Sequence, residues 1–377
     1  MMKKIGITQI LLILGLLNFS CQNNNQKKPE LTSIDLELVT GNLFSEVFEE
    51  INYVLLKEND TLPLVQPLKT VVTDDFIYIL DIKLNNLFKF NRNGEIIHIF
   101  NSSGQGPQEF IQIQDYQVKQ DTVILQDNLS NKLIYFDDDG KFLKETKLPS
   151  SSANFFKGAN FTLHFTDGME GIGKDFLKIS DSNQLNFLDI GLSPPKGRVR
   201  LIHGFAEDEK TEIRTLTLPF SHQVVVFDPL GNILQLKEFE FLNPPELTEE
   251  EKKYLQVKII NAFLPFPDFN YMSVFFGRNS FQFILDKKFN LLFSGKNIQN
   301  DIDGMNYRIL PISHHQEQLI LYHPSTRIYN LYQSASIPEQ NDHFKSNIHD
   351  FYNTNHEAPK GDRHVLVFLD LKPVIPN

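Results

Sequence analysis

The chain has 377 residues, enough for one large all-β domain or two average ones, with 41% hydrophobic and 22% charged residues, ordinary globular values. A formal charge of -11 and the lack of a long basic run after residue 30 argue against a nucleic-acid partner, because a negative surface repels phosphate. One cysteine excludes an intramolecular disulfide framework and a cysteine-cluster metal site. Phe is abundant at 33, with no Trp, so large apolar side chains for a core are plentiful.

At the N-terminus Lys3 and Lys4 precede the apolar run IGITQILLILGLLNFS and then Cys21. The run is short for a bilayer span. A basic start, a short apolar stretch and the small Ser20 before a cysteine resemble a bacterial lipoprotein signal, in which the thiol takes a lipid and becomes the first residue. Asn18 stands where leucine is usual, with Leu17 one step early. The expectation is a signal peptide over residues 1–20 and an acyl (palmitate-bearing) anchor on Cys21; the alternative is a secretory signal with an incidental cysteine. The polar, aperiodic QNNNQKKPELTS then reads as a flexible tether over 21–32, with a reach of about 40 Å.

From residue 33 onward the chain repeats. The stretch from Asp74, DDFIYILDIKLNNLFKFNRNGEIIHIF, and the stretch from Gln120, QDTVILQDNLSNKLIYFDDDGKFLKETKL, share one plan. Each has an apolar strand ending at Asp (Asp81, Asp127), a polar turn, a strand ending in Phe (Phe90, Phe136), a glycine turn and a further strand. Gly94 and Gly140 are 46 residues apart (140 minus 94), a propeller-blade period. Weaker copies start at His222, at Ser280 (with Asn290 expected at the glycine position) and at Gln318, and the segment 160–191 fits a less regular blade. These give about five blades. The sixth is expected from strands at both ends, SIDLELV from Ser33 and EEINYVLLK from Glu49 with HVLVFLDLK from His364, whose pairing closes the ring and hides its edges. The predicted fold is an all-β, six-bladed β-propeller of four-stranded antiparallel blades over 33–377. One inserted helix is expected near 248–262, where Thr248 and Glu251 have capping-box spacing and Tyr254, Leu255, Ile259 and Phe263 recur at helical intervals.

The motif GQGPQEF, with Gly104, Gly106, Pro107, Glu109 and Phe110, has no following Lys-Ser/Thr and no βαβ setting, so it reads as a corner between blades rather than a phosphate loop. Pro107 is expected to fix the exit, Phe110 to enter the core and Glu109 to accept backbone N–H groups. Late in the chain Asn300, Asp301, Ile302, Asp303 and Gly304 form a tight acidic turn. Together with LFSEVFEEINYVLLK, these motifs resemble, in order and over nearly the whole mature chain, the six-bladed β-propeller (NHL/TolB-like) lipoproteins of Bacteroidota. In that family a Gly is usual where Met305 stands. The resemblance implies a lipidated, envelope-facing propeller and no established chemistry.

Candidates for chemistry are few. Asp301 and Asp303 are the sharpest carboxylate pair and could hold Ca²⁺, although the full calcium-loop spacing is missing and Asp-x-Asp-Gly is also common turn chemistry. His314 and His315 are adjacent, so on a strand they point to opposite faces and make poor co-ligands; a solvated strand end is expected. The run DDDG at 137–140 reads as a solvated hairpin turn, and the aromatic stretch 263–276 as core packing with some binding potential. No Gly-x-Ser-x-Gly elbow occurs. The expectation is a monomeric, non-enzymatic binding or scaffold module for a glycan, peptide or envelope protein. It would be lipid-anchored to the outer membrane and face the periplasm, with no cofactor required. The alternative is a propeller enzyme with a divalent metal in its channel, a lactonase-like hydrolase or a lyase.

Overall fold

Each repeat folds as one sheet. A computed structural model describes residues 28–58, 61–166, 175–188, 203–219, 221–251, 260–337, 345–357 and 363–373. The expected signal peptide over residues 1–20 and Cys21 lie outside the described residues. Three N-terminal strands, β1 (Glu30–Asp35), β2 (Gly41–Leu43) and β3 (Phe48–Leu55), precede blade 1, formed by β4 (Pro67–Val72), β5 (Phe76–Asp81), β6 (Asn86–Asn91) and β7 (Ile96–Phe100). Blade 2 holds β8 (Ile113–Lys119), β9 (Thr122–Asp127), β10 (Lys132–Asp137) and β11 (Phe142–Lys147). Blade 3 holds β12 (Asn154–Lys157), β13 (Phe161–Phe165), β14 (Phe176–Ser180) and β15 (Leu185–Leu188). Blade 4 holds β16 (Phe205–Glu207), β17 (Arg214–Thr217), β18 (Gln223–Phe227) and β19 (Ile233–Leu242). Blade 5 holds β20 (Ile260–Pro265), β21 (Phe269–Phe276), β22 (Asn279–Asp286) and β23 (Leu291–Gln299). Blade 6 takes β24 (Pro311–His315), β25 (Gln318–Pro324) and β26 (His364–Leu371) from the C-terminal end and β3 from the N-terminal end. The fold is therefore the six-bladed propeller that the repeat predicts, and its ring is closed by antiparallel pairing of β3 with β26, Tyr53 opposite Val367.

The repeat has a local cause. Asp81 ends β5, and its carboxylate accepts from the Lys83 and Leu84 N–H groups at 2.9 and 2.8 Å and from Gln66 N–H at 2.8 Å. Asp127 does the same one blade later, from Leu129 N–H at 2.9 Å and Ile111 N–H at 2.7 Å. One acidic side chain thus ties the turn after the second strand to the segment that enters the first, so blades 1 and 2 each carry their own corner bracket. Apolar residues between the brackets pack blade against blade; Phe110, Tyr116, Leu125 and Ile134 fill the wedge between blades 1 and 2.

Several expectations change. The strand at Ser33 does not close blade 6. It belongs to β1, which starts at Glu30 inside the predicted tether and runs parallel to β19, a fifth strand on the rim of blade 4. β2 adds in the same way to β23 of blade 5. The N-terminal segment is therefore a belt around blades 4, 5 and 6. The helix expected near 248–262 is correct at its start, where Thr248 N–H donates to Glu251 Oε2 at 2.9 Å and Glu251 N–H donates to Thr248 Oγ1 at 3.2 Å. Residues 252–259, including Tyr254, Leu255 and Ile259, lie outside the described residues, and Phe263 belongs to β20, so the apolar positions read as helical include strand residues. Two unpredicted helices, α1 (Ser325–Ser334) and α2 (Ile348–Asn355), sit between β25 and β26.

In the hairpin of blade 5 the left-handed position is Phe289, with φ 68, not Asn290. Asn290 instead caps Asp286, donating from N–H at 2.8 Å and Nδ2 at 2.7 Å. The strained backbone persists because the Phe289 ring is buried against Phe239 and Phe263. Glycine is required at the matching place in blade 1. Gly94 has φ 77, and a Cβ there would lie 2.0 Å from the Leu55 carbonyl oxygen, which belongs to the closing strand. Gly94→Ala is expected to destabilise the fold by about 2–4 kcal/mol, from the left-handed penalty and the displaced backbone together, as measured by urea unfolding.

Candidate functional site

The six innermost strands are β4, β8, β12, β16, β20 and β24, and residues from all six line one axial cavity of about 140 Å³. Lys69, Thr70, His203 and Ser313 bring polar groups to its wall; Phe155, Phe156 and Phe205 bring aromatic ones. Lys69 is fixed in place. Its Nζ donates to Asp115 Oδ1 and to the Tyr116 carbonyl, both at 2.7 Å, and the buried Asp115 also accepts from Asn154 Nδ2 and Phe155 N–H at 3.1 Å. This ion pair joins blades 1, 2 and 3 where the innermost strands begin.

At the other end, where the innermost strands turn back outward, the channel opens into two further cavities of about 280 and 430 Å³. Carboxylates crowd this mouth: Asp74, Asp75, Asp121, Asp138, Glu209 and Glu212 all line the larger cavity. Glu207 and Glu209 line all three cavities, so the loop that follows β16 is the wall between chamber and solvent. Glu207 is held by the buried Arg214, whose guanidinium donates to Glu207 Oε1 at 2.6 Å and sits 3.9 Å from the Phe156 ring centroid. Burial pushes the Glu207 carboxyl up, against the pull of Arg214.

His314 and His315 are not a solvated strand end. Both are sequestered in this mouth, and the strand alternation that made them poor co-ligands gives them separate partners. His314 Nε2 faces the Glu207 carbonyl oxygen at 3.0 Å, so that nitrogen carries the proton, and burial holds the ring below its ordinary pKa, hence neutral. His315 has a carboxylate at each nitrogen: Glu209 Oε1 at 3.0 Å from Nδ1 and Asp74 Oδ1 at 3.0 Å from Nε2. Both nitrogens donate only in the imidazolium. Burial lowers its pKa, but Glu209 and Asp74 outweigh burial and the net direction is up. A signal for this site was present in the sequence, since acidic residues stand in the inner-hairpin turns of blades 1, 2 and 4 (TDD at 73–75, KQD at 119–121, EDEKTE at 207–212). Which turns meet across the axis is decided only by ring closure.

The other predicted positions lie elsewhere. GQGPQEF joins β7 to β8 on the face opposite the acidic mouth. Phe110 is fully buried, Gly106 N–H donates to Glu109 Oε2 at 2.8 Å, and Lys132 Nζ donates to the Gly106 carbonyl at 2.8 Å. A Cβ at Gly104 would lie 2.0 Å from Glu109 Oε2, so the missing side chain gives the Glu109 carboxylate its room. Pro107 lies within the turn. Asp301 accepts from the Ser45 N–H at 2.9 Å, which ties the belt to the turn after β23. Asp303 is fully buried and accepts from four donors: Tyr53 and Ser346 hydroxyls at 2.8 Å each, Asn300 Nδ2 at 2.6 Å and Met305 N–H at 3.1 Å. The oxygens of this turn are thus engaged by the chain's own donors. Among the described residues no three His, Cys, Asp or Glu side chains gather as a metal-ligand set. No helix among the described residues is long and apolar enough to cross a membrane.

Fold and channel together define a six-bladed β-propeller with an axial chamber and an acidic mouth. Residues 21–189, under half of the chain, match the family model DUF5128, a 6-bladed beta-propeller, which agrees with the fold read from the repeat. A protein from Bacteroides fragilis named as an exported protein is similar in structure, with a TM-score of 0.69 at 14% identity over 91% of this chain and 100% of that one. A member of the DUF4221 family from Bacteroides vulgatus is similar with a TM-score of 0.50 at 10% identity, over 86% of this chain and 97% of that one. At these identities the likeness is one of fold. No curated protein matches the chain by sequence.

Proposed function

We propose that the chain is a lipid-anchored protein of the bacterial cell envelope, held at the outer membrane through Cys21, and that its propeller is a non-enzymatic binding module. The observation that carries this reading is the axial chamber, walled by all six blades and lined by aromatic faces beside fixed hydrogen-bonding groups. Such a wall suits a sugar unit or a short peptide end, because aromatic rings cover apolar faces while Lys69, Thr70 and Ser313 orient polar ones. The resemblance of LNFSC to a lipoprotein signal and the likeness to a protein named as exported support the location.

The test has two arms. Cells fed a palmitate analogue are expected to label the wild-type chain and not Cys21→Ala, and equal labelling of both would sink the anchor. Glycan and peptide arrays probed with the chain are expected to give ligands whose binding is lost in Ser313→Phe, which fills the chamber. Ligands that bind both forms equally would place recognition elsewhere.

A further inference from the structure

The turn after β16 crosses the axis. Blades 4 and 6 are not neighbours in the ring, since blade 5 stands between them, yet residues 207–209 of blade 4 meet His314 and His315 of blade 6. On the near side the crossing loop is built by Asp208, whose N–H donates to the Ile213 carbonyl at 2.9 Å and whose own carbonyl accepts from Glu212 N–H at 2.8 Å. Lys287 of blade 5 approaches the buried Asp208 carboxylate at 3.6 Å. On the far side the loop is held by two contacts: the His314 ring on the Glu207 carbonyl and the His315 ring on Glu209.

We propose that the loop over 208–213 is a latch across the axial chamber, held shut by protonated His315 between Glu209 and Asp74 and released when His315 loses its proton. That the latch controls a ligand rests on the chamber being the binding site; the latch itself stands on the geometry alone. His315 joins three blades through one ring, with Gln316 Nε2 supporting Asp74 Oδ1 at 2.8 Å. Once the ring is neutral it can donate from one nitrogen only. One carboxylate then faces a lone pair, and Asp74 and Glu209 repel each other across the ring. The surroundings sharpen this response. Asp75, Asp121, Asp138, Glu207 and Glu212 share the cavity with His315. Lys119 is the cation on that wall, and Arg92 lies near Asp74. His314, the neighbour on the strand, is neutral and so does not replace the lost charge.

The direction follows from the raised pKa of His315. The latch is fully engaged below the ordinary imidazole value of 6.5 and is lost as pH rises through the higher value of the folded state.

Hydrogen–deuterium exchange of the full chain, corrected for the intrinsic pH dependence, reads this directly in peptides covering 207–213. Between about pH 6 and about pH 9 the corrected exchange is expected to rise, by about tenfold for each unit by which closure raises the His315 pKa. Peptides of β9 and β22 should hold still. His315→Gln should exchange at the lower pH as the wild type does at the higher one, and the His315 Cε1 proton should titrate above 6.5. Corrected exchange that stays flat while His315 titrates overturns the latch, as does an equal rise in His315→Gln. The two readings fail separately. A ligand screen that finds nothing leaves the pH-dependent exchange in place, and flat exchange with saturable binding leaves the chamber.

Discussion

A chain shortened to begin at Pro67 is expected not to fold. It would retain the four antiparallel strands of each of blades 1 to 5 and three of blade 6, but lack the rim strands β1 and β2 and, above all, β3, the strand that closes the ring. Phe44, Phe48, Ile51 and Tyr53 are each buried to 2% exposure or less. At ~1.5–3 kcal/mol for each buried large side chain they contribute ~6–12 kcal/mol. That is comparable with the whole net stability of a domain, ~5–15 kcal/mol. Losing them also bares the N–H and C=O groups of β26 that now pair with seven residues of β3, an open edge that invites aggregation. A chain beginning at Gly41 keeps β2 and β3 and loses only β1. It is expected to fold with reduced stability, because β1 buries Ile34 but is otherwise an added rim strand. Circular dichroism and size-exclusion chromatography of the two shortened chains decide the matter. A cooperative, monomeric chain starting at Pro67 would show that the ring does not need its clasp.

Asp303→Ala is expected to cost about 3–5 kcal/mol, because it leaves up to four buried donors without an acceptor at once. The carboxylate binds three separate parts of the fold: Tyr53 in the closing strand, Ser346 ahead of α2, and the turn that carries Asn300 and Met305. Removing it loosens the clasp from inside. Asp303→Asn, which keeps one acceptor oxygen, should cost roughly half as much on the same reasoning. Thermal unfolding of both variants against the wild type measures the difference; equal stability of Asp303→Ala and wild type would refute the hub. The pH dependence gives an independent check. Burial pushes the Asp303 carboxyl above its ordinary value of 3.8, while its donors pull it down. The folded chain therefore holds this proton longer than the unfolded one. Stability from this group is full below 3.8 and declines as pH rises through the folded value, and that component should be missing in Asp303→Asn.

These two results bear on how much the sequence reveals. The hairpins at Gly94 and Gly140, the brackets at Asp81 and Asp127, and the buried Phe110 of GQGPQEF are local. Each depends on residues within about one blade of itself, and a 46-residue spacing (140 minus 94) is enough to display them. The pairing of EEINYVLLK with HVLVFLDLK was legible too, because a repeat that ends one strand short must borrow one from its other end. The belt was not. A parallel strand added to an outer rim needs no particular alternation, so residues 30–32 read as the end of a tether and the strand from Ser33 as part of the closing blade. Phe289 at a left-handed φ was hidden for the opposite reason: the local rule favours Gly or Asn, and only the burial of its ring offsets the strain.

The candidate site divides along the same line. By itself the sequence determined the blade count, the acidic turns and a pair of adjacent histidines, because short-range chemistry sets those features. Only the tertiary structure decided that His315 would sit between Asp74 and Glu209, residues 241 and 106 positions away (315 minus 74, 315 minus 209). Closing six blades into a ring brings inner turns of blades 1, 4 and 6 to one axis, and no local pattern records which of them will meet there.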